Sequence, residues 1–228
     1  MDVGVLLLAA GSGRRFGGGL PKQYALVAGK PLLAHTLTSL AAEPRIRLVQ
    51  PVIAEGDEHY AAAVAGLRFS FKLFAPVAGG AERSESMQAG FAALPDDIDF
   101  VAVHDAARPL PSPALLADVL DVAERHGAAV PGLAVHDTIK VVNAEGRVIE
   151  TPSRASLRAV QTPQVARRDW FALALAQEAD RLHRHTDDAS LLESAGFPVH
   201  VSRGEPDNRK ITTQEDMQWL QARLEGKS

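Results

Sequence analysis

The chain alternates short apolar runs with segments of helical periodicity along almost its whole length. Val3–Leu8 and Phe100–Val103 are continuous apolar runs, as expected for strands that are buried on both faces of a sheet. Further strands are predicted at Leu48–Ala54, Ala128–Leu133 and Pro198–Ser202. Strands that alternate with helices predict an α/β fold, with a Rossmann-like, mostly parallel sheet covered by helices on both faces.

Helical segments are predicted between these strands. Ser112 and Pro113 form a typical helix start, a capping hydroxyl followed by proline, and this helix is expected to end near His126. Thr212 and Glu215 have the spacing of a capping box that opens a C-terminal helix. The other predicted helices are Leu32–Leu40, Ser86–Leu94, Asp169–Arg184 and Asp187–Ala195.

The segment at about 136–160 interrupts this alternation. The runs TIKVV and RVIE flank the sequence NAEG, which predicts a β-hairpin with its turn at Asn143–Gly146. An isolated hairpin is only marginally stable in water, so this arm is expected to pack either on the core or on a second subunit. Since no linker or internal repeat is visible, we predict a single domain over residues 1–228 with one inserted arm.

Composition excludes several classes of protein. The 228 residues contain no cysteine, which rules out a disulfide scaffold, a thiolate metal site and a cysteine nucleophile. The net charge of -4 gives no reason to expect nucleic acid or an anionic membrane as a partner. No signal peptide or membrane span is recognisable in the sequence, so a cytoplasmic protein is expected.

A glycine-rich, basic loop follows the first predicted strand, in the stretch AAGSGRRFGGGLPKQY. Ligands of open α/β sheets bind at the carboxyl ends of the strands, where this loop begins. Glycine amides approach an anion closely, and Arg15 and Lys22 add full positive charges, so the loop predicts a polyphosphate ligand. The spacing does not match a P-loop, and Phe16 stands where a dinucleotide fingerprint needs its third glycine.

Four other segments carry candidate chemistry. Asp105 follows a predicted central strand, where its carboxylate could hold Mg²⁺ or a substrate hydroxyl, or form a structural ion pair with Arg108. Gly79 and Gly80 precede a helix that contains Ser86, a weak signal for binding a base or ribose. Thr186 offers a hydroxyl, although it could simply cap a helix. Lys210 precedes a helix start, which is electrostatically unfavourable unless an anion such as a phosphate lies there.

These segments resemble, in the same chain order, the motifs of the 2-C-methyl-D-erythritol 4-phosphate cytidylyltransferase family of the non-mevalonate isoprenoid pathway. The glycine-rich loop also resembles the nucleotide-binding loop of the wider nucleotide-diphospho-sugar transferase-like fold. The resemblance spans Val3 to about Met217. One departure is Gln214, which stands at a helix entry where the family usually has proline. The segments that carry it are AAGSGRRFGGGLPKQY, HDAARP, DTIK, QTPQ, TDDAS and DNRKITT.

The resemblance implies that the phosphate of 2-C-methyl-D-erythritol 4-phosphate attacks the α-phosphate of CTP and releases pyrophosphate, with Mg²⁺ as cofactor. The implied catalytic residues are Arg15, Lys22, Asp105 and Lys210, and Asp105 is also the possible metal ligand. The implied nucleotide-binding residues are Ala9, Ala10, Gly11, Gly13, Gly79, Gly80, Ser86 and Ala106. The implied substrate-binding residues are Asp105, Arg108, Thr138, Arg154, Thr162, Thr186 and Thr212.

Two of these residues, Thr138 and Arg154, lie on the predicted hairpin. In the family, the matching residues reach the polyol phosphate of a neighbouring subunit. The resemblance therefore implies a homodimer formed through the arm, with each site shared between two chains.

Other functions stay open from the sequence. A ribitol 5-phosphate cytidylyltransferase would share the fold and most of the motifs, and a non-catalytic nucleotide-binding regulator would share the fold. A dinucleotide-binding dehydrogenase would need a glycine in place of Phe16. Because the last motif lies near the end of the 228 residues, we predict a chain with this single function rather than a fusion with another enzyme of the pathway.

Overall fold

A computed structural model describes residues 1–11 and 19–226 of the chain. Its strands are β1 (Val3–Leu8), β2 (Leu26–Val27), β3 (Lys30–Pro31), β4 (Ile46–Ile53), β5 (Lys72–Leu73), β6 (Val77–Ala78), β7 (Phe100–Asp105), β8 (Ala128–Ala134), β9 (Val141–Val142), β10 (Val148–Glu150), β11 (Arg158–Val160), β12 (Gln164–Arg167) and β13 (His200–Arg203). Its α-helices are α1 (Leu32–Leu40), α2 (Tyr60–Val64), α3 (Arg83–Ala92), α4 (Pro113–His126), α5 (Arg168–Gln177), α6 (Asp188–Ser194) and α7 (Gln214–Leu224).

Within the described residues, nine strands form the central sheet, in the order β11-β8-β12-β7-β1-β4-β5, with β13 beside β8 and β6 beside β4. β1 lies between β7 and β4 and is parallel to both. β12 runs antiparallel between β7 and β8, so the sheet is mixed but mostly parallel. The predicted α/β fold is confirmed, although the sequence analysis did not detect the short strand β12.

The core forms two layers because side chains alternate across the central strand β1. Val5 and Leu7 pack into one cluster of buried residues, which α1 and α4 complete. Leu6 points to the other face and packs with Met87 of α3 and Phe171 of α5. The continuous apolar run of β1 thus follows from its burial by helices on both faces.

Several helix boundaries differ from the sequence prediction. The predicted helix Asp169–Arg184 is divided into α5 and a 3₁₀-helix, Ala179–Arg184, with the buried Glu178 between them. α3 begins at Arg83 rather than Ser86, because Glu82 and Glu85 form a capping box at its start. The cap of α7 is Thr213, which pairs with Asp216, so the predicted box is wrong by one residue.

The predicted hairpin is present in the arm. β9 and β10 pair in antiparallel register, with Val142 opposite Val148. The turn spans Asn143–Gly146, where the Asn143 side chain accepts a hydrogen bond from the Arg147 amide and Gly146 has a φ of 80°. A positive φ of this kind favours glycine, which explains why the glycine in NAEG correctly predicted a turn here.

The structure shows no long apolar helix of the kind that crosses a membrane anywhere in the described ranges 1–11 and 19–226.

Candidate functional site

A cavity of about 370 Å³ opens at the carboxyl edge of the central strands. The register of β1 and β7 places Leu8 directly beside Asp105, and the Ala106 amide donates to the Leu8 carbonyl. Ala9, Ala10 and Gly11, which follow β1, line the cavity at this edge, where ligands of open α/β sheets commonly bind. Because β12 is antiparallel, the segment before it, Gln161–Pro163, reaches the same edge.

Most of the described candidate residues line this cavity. Gly13 and Arg15 lie outside the described residues, so the structure says nothing about them. The candidate residues in the cavity wall are Ala9, Ala10, Gly11, Lys22, Gly80, Ser86, Asp105, Ala106, Lys210 and Thr212.

Asp105 is a buried carboxylate surrounded by cations. One oxygen, Oδ2, lies 2.8 Å from Lys210 Nζ and 3.8 Å from Arg108 Nε, while Oδ1 lies 3.5 Å from Arg83 Nε. Burial alone would raise the pKa of Asp105, but the charges of Lys210 and Arg83 outweigh it and lower the pKa to about 2. The ion pair between Asp105 and Arg108 that the sequence analysis kept as an alternative is therefore one part of a larger cluster.

Two lysines present their ammonium groups at one wall of the cavity. Lys22 Nζ donates to the Ile211 carbonyl at 2.8 Å, and the Lys210 side chain remains 41% exposed while it pairs with Asp105. α7 begins only at Gln214, so Lys210 is not at the start of that helix, and its nearby anion is Asp105. The helix-start argument for a phosphate beside Lys210 therefore fails, and the anion that pairs with Lys210 is supplied by the protein itself.

Arg83 is a site residue that the sequence analysis did not select. It lines the cavity and donates two hydrogen bonds to Asp188, at 2.8 and 2.6 Å. Burial would lower the pKa of Arg83, but Asp188 and Asp105 raise it, so the guanidinium is permanently charged. The signal was available, since Arg83 begins α3, where a cation is unfavourable without an anion. Its partner Asp188, 105 residues away, was not recognisable from the sequence.

The two glycines before α3 are required by close packing. A Cβ added at Gly79 would lie 2.7 Å from the Ala10 Cβ and 2.6 Å from the Ser86 hydroxyl. A Cβ at Gly80 would lie 2.3 Å from the Glu85 Cβ. Glycine at both positions therefore allows the start of α3 to approach the loop after β1, which encloses the cavity.

The remaining candidates do not line the cavity within the described residues. Arg108 lies behind Asp105 and donates to the Asn208 carbonyl at 2.8 Å, and burial lowers its pKa. Thr162 is buried, with its hydroxyl already hydrogen-bonded to the protein. Thr138 and Arg154 are exposed on the arm, where Arg154 donates to the His136 carbonyl at 2.5 Å. Thr186 is exposed, and Asp187, not Thr186, caps α6.

The carboxylates of the cavity suit a metal that arrives with a phosphorylated ligand. No group of three or more ligating side chains occurs among the described residues. Asp105 and Glu82 line the cavity, and Asp105 is already engaged by Lys210. Mg²⁺ commonly takes one or two carboxylates together with substrate phosphates, and this donor set fits that mode of binding.

An α/β sheet with a cavity at its carboxyl edge is typical of ligand-binding α/β proteins, and Lys22, Arg83 and Lys210 suit this cavity to an anionic ligand. Comparison with known families then identifies the chain more closely. The family model described as IspD, 2-C-methyl-D-erythritol 4-phosphate cytidylyltransferase, matches residues 3–226, and the chain belongs to this family. The family membership expected from the motifs is therefore confirmed.

Individual relatives agree with this assignment. The 2-C-methyl-D-erythritol 4-phosphate cytidylyltransferase of Symbiobacterium thermophilum is 43% identical over 225 residues, which cover 99% of this chain and 94% of that protein. The bifunctional enzyme IspD/IspF of Bradyrhizobium sp. (strain ORS 278) is 43% identical over 222 residues, covering 96% of this chain and 56% of the relative. The chain thus spans about half the length of the bifunctional relatives it matches. The crystal structure of 4-diphosphocytidyl-2C-methyl-D-erythritol synthase from Anaerococcus prevotii superposes with a TM-score of 0.85, at 27% identity and 98% coverage of both chains.

Proposed function

We propose that this chain is a cytidylyltransferase that forms 4-diphosphocytidyl-2-C-methyl-D-erythritol and pyrophosphate from CTP and 2-C-methyl-D-erythritol 4-phosphate. The observation that carries the proposal is the cationic cavity at the edge of β1 and β7, in a chain of this family.

The reaction needs positioning and positive charge more than a strong base. An oxygen of the acceptor phosphate forms a bond to the α-phosphorus of CTP, and the bond from that phosphorus to the bridging oxygen breaks as pyrophosphate leaves. A phosphate monoester is already largely ionised at neutral pH, because its second pKa is about 6. Catalysis then consists of aligning two polyanions and stabilising the charge of the transition state.

The charges of the cavity suit this task. Among the described residues, Lys22, Arg83 and Lys210 line it with three positive charges, against the two negative charges of Glu82 and Asp105. Lys22 and Lys210 hold the triphosphate and the phosphoryl group in transfer, while Asp105 fixes Lys210 and Arg83 around them. We assign Arg15 to the triphosphate as well, on the family motif alone.

Mg²⁺ is the proposed cofactor, with Asp105 as the protein residue that would hold it. When bound, the ion supplies further positive charge to the triphosphate. The fit of the cavity carboxylates to a metal shared with substrate phosphates supports this assignment.

We propose that the arm forms the dimer contact by packing against the arm of a second copy of this chain. Large exposed apolar patches are uncommon on monomers, yet six large apolar side chains of the arm are exposed: Ile139, Val141, Val142, Val148, Ile149 and Val160. In such a dimer, Thr138 and Arg154 reach the acceptor phosphate in the partner's cavity.

Light scattering tests the dimer, and it is expected to give twice the monomer mass for the wild type and the monomer mass for Val142→Asp. A monomeric wild type would contradict the arm proposal.

Pyrophosphate release tests the activity. CTP and Mg²⁺ are combined in turn with methylerythritol 4-phosphate, ribitol 5-phosphate and no acceptor, using wild type, Lys22→Ala and, as control, the exposed Lys30→Ala. We expect release only with methylerythritol 4-phosphate and a loss of roughly 100-fold or more in Lys22→Ala. A preference for ribitol 5-phosphate would keep the chemistry and change the acceptor. CTP binding without pyrophosphate release with either acceptor would favour a regulator.

A cytoplasmic location is also part of the proposal, and cell fractionation tests it.

A further inference from the structure

A single 3₁₀ turn, Lys22–Tyr24, carries Lys22 at the wall of the cavity. The turn is closed by hydrogen bonds from the Tyr24 amide to the Pro21 carbonyl at 2.9 Å and from the Ala25 amide to the Lys22 carbonyl at 3.1 Å. One turn is not stable by itself, because fixing its backbone costs more entropy than its few hydrogen bonds offset. Contacts with the rest of the protein therefore determine where Lys22 lies.

Gln23 joins this turn to the segment that follows β1. Gln23 is 4% exposed, and its Nε2 donates to the Ala9 carbonyl at 2.8 Å. The Ala9 amide donates in turn to the Val52 carbonyl of β4 at 2.7 Å, so Ala9 is held by the sheet. Ala9 and Gln23 stand at the two ends of the glycine-rich stretch, and the side chain of Gln23 connects these ends.

Tyr24 joins the same turn to the segment that follows β4. Its hydroxyl donates to Asp57 Oδ2 at 2.7 Å, and burial together with Asp57 raises the pKa of Tyr24, so the hydroxyl keeps its proton. Asp57 Oδ1 accepts from the amides of His59 and Tyr60, at 2.8 and 3.0 Å, at the start of α2. Tyr24 is not one of the described residues that line the cavity, so any influence it has on a ligand there is indirect.

The ammonium group of Lys22 reaches the segment before α7. Lys22 Nζ donates to the Ile211 carbonyl at 2.8 Å, and the Ile211 amide donates to the Ala107 carbonyl, also at 2.8 Å. Ile211 is fully buried and directly follows Lys210, which lines the cavity. Lys22 thus extends from a turn that two neighbouring side chains anchor to a second wall of the cavity.

We infer that Gln23 and Tyr24 are positioning residues that hold Lys22 where it meets the triphosphate, so that their effect on the reaction passes through Lys22. The inference rests on the proposed cytidylyl transfer, in which Lys22 contacts the phosphates. A preorganised charge stabilises a transition state only within a narrow geometry. A turn that has lost one of its two anchors therefore places the ammonium group less accurately.

Matched variants separate this role from a general loss of stability. Gln23→Met keeps the length of the side chain and removes the donor, and Tyr24→Phe keeps the ring and removes the hydroxyl. Gln50→Met is the control, because Gln50 is 2% exposed and its Nε2 donates to two backbone carbonyls, at 2.9 and 3.0 Å, away from the cavity. Each change is made both in wild type and in Lys22→Ala.

The expected kinetic result differs between the two backgrounds. In wild type, Gln23→Met is expected to lower kcat/KM for CTP roughly tenfold or more, and Tyr24→Phe by a smaller factor. In Lys22→Ala, both changes are expected to have less than roughly a twofold further effect, because no ammonium group is left to misplace. Gln50→Met is expected to match its parent in both backgrounds. Equal factors in the two backgrounds, or full activity of either variant, would overturn the inference.

Calorimetric titration with CTP and Mg²⁺, without acceptor, tests the inference independently of turnover. Gln23→Met is expected to weaken CTP binding roughly threefold to tenfold in wild type and to leave it unchanged in Lys22→Ala. Equal weakening in both backgrounds would indicate that Gln23 contacts the nucleotide directly, and it would overturn the inference. A wild type that binds CTP but transfers no cytidylyl group would overturn the proposed function alone, and the CTP affinities would still decide whether Gln23 acts through Lys22.

Discussion

Among single residues, Lys210 connects the buried carboxylate of Asp105 with the open cavity. It is the nearest cation to Asp105, at 2.8 Å, and the largest of the influences that lower the pKa of that carboxyl. At the same time its side chain is 41% exposed, so a ligand in the cavity can reach it. In the proposed function, Lys210 therefore pairs with Asp105 and also contacts the phosphates of the substrate.

Replacing Lys210 with methionine keeps most of the side-chain length and removes the charge. We expect kcat to fall roughly a hundredfold or more, because a preorganised charge at the transferring phosphoryl group is lost. The pKa of Asp105 is expected to rise, which carboxyl-carbon NMR can follow. Lys30→Met, at an exposed position outside the cavity, is the control, and a Lys210→Met enzyme with wild-type kcat would contradict the assigned role.

The stability of the protein in acid is expected to depend on His104. Its pKa is lowered to about 4 by burial, whereas the unfolded chain has the ordinary value of about 6.5. Between these two values the unfolded chain binds one more proton at this position, so the free energy of unfolding decreases as the pH falls from about 6.5 to about 4. The full shift corresponds to about 3 kcal/mol.

Urea unfolding across this pH range measures the effect. The free energy of unfolding is expected to depend less steeply on pH in His104→Asn than in wild type. The difference in slope is expected to correspond to the uptake of about one proton on unfolding. Asp105, whose pKa is lowered to about 2, weakens the fold only below the ordinary value for aspartate of about 3.9, so the two windows separate. Equal slopes for both proteins would show that His104 is not the buried neutral group.

Among the secondary-structure elements, the segment before α7 positions the cavity residues Lys210 and Thr212. Asp216, in the first turn of α7, accepts from the amides of Thr212 and Thr213 at 2.8 and 2.9 Å and from the Thr212 hydroxyl at 2.8 Å. Arg209 pairs with the other Asp216 oxygen at 2.8 Å. The cap of α7 therefore also anchors one wall of the cavity.

Asp216→Ala is expected to lower the free energy of unfolding by about 1–2 kcal/mol, as loss of a helix cap usually does. It is also expected to lower kcat, because the segment that carries Lys210 loses its anchor. Glu215→Ala, at an exposed position in the same helical turn, is the control. Unfolding by denaturant together with the pyrophosphate assay measures both effects, and a destabilised variant with wild-type kcat would separate the cap from the site.

For the whole molecule, the central question is whether one chain forms a complete site. The cavity of one chain contains Lys210, whereas Arg154 lies exposed on the arm. If the arm completes the partner's site, a defect in each of two chains can be compensated in a mixed dimer.

Mixing Lys210→Met with Arg154→Ala tests this arrangement. Random mixing makes half of the dimers mixed, and one of the two sites in each mixed dimer then has an intact cavity and an intact arm. Activity is expected to return to about a quarter of the wild-type level when the variants are mixed and allowed to exchange subunits. No recovery, with exchange verified by labelled chains, would mean that each chain works alone.

The predictable part of this protein consisted of local patterns. The apolar run Val3–Leu8, the Ser112–Pro113 helix start and the Asn143–Gly146 turn each depend on neighbouring residues, and each was recognised. The boundary errors at α3 and α7 were also local, since Glu82 with Glu85 opens α3, and Thr213 with Asp216, rather than Thr212 with Glu215, opens α7. Short β12 was missed because four residues carry too little periodicity to separate a strand from a loop.

The sequence by itself determined the α/β class, the cavity at the end of β1 and the family, because apolar periodicity and motif order can be read along the chain. Only the tertiary structure decided which side chains meet at Asp105. Arg83 meets Asp188 across 105 residues, and Thr162 meets His104 across 58. Such contacts depend on how strands and helices pack against one another, and this packing also buries the groups and shifts their pKa values.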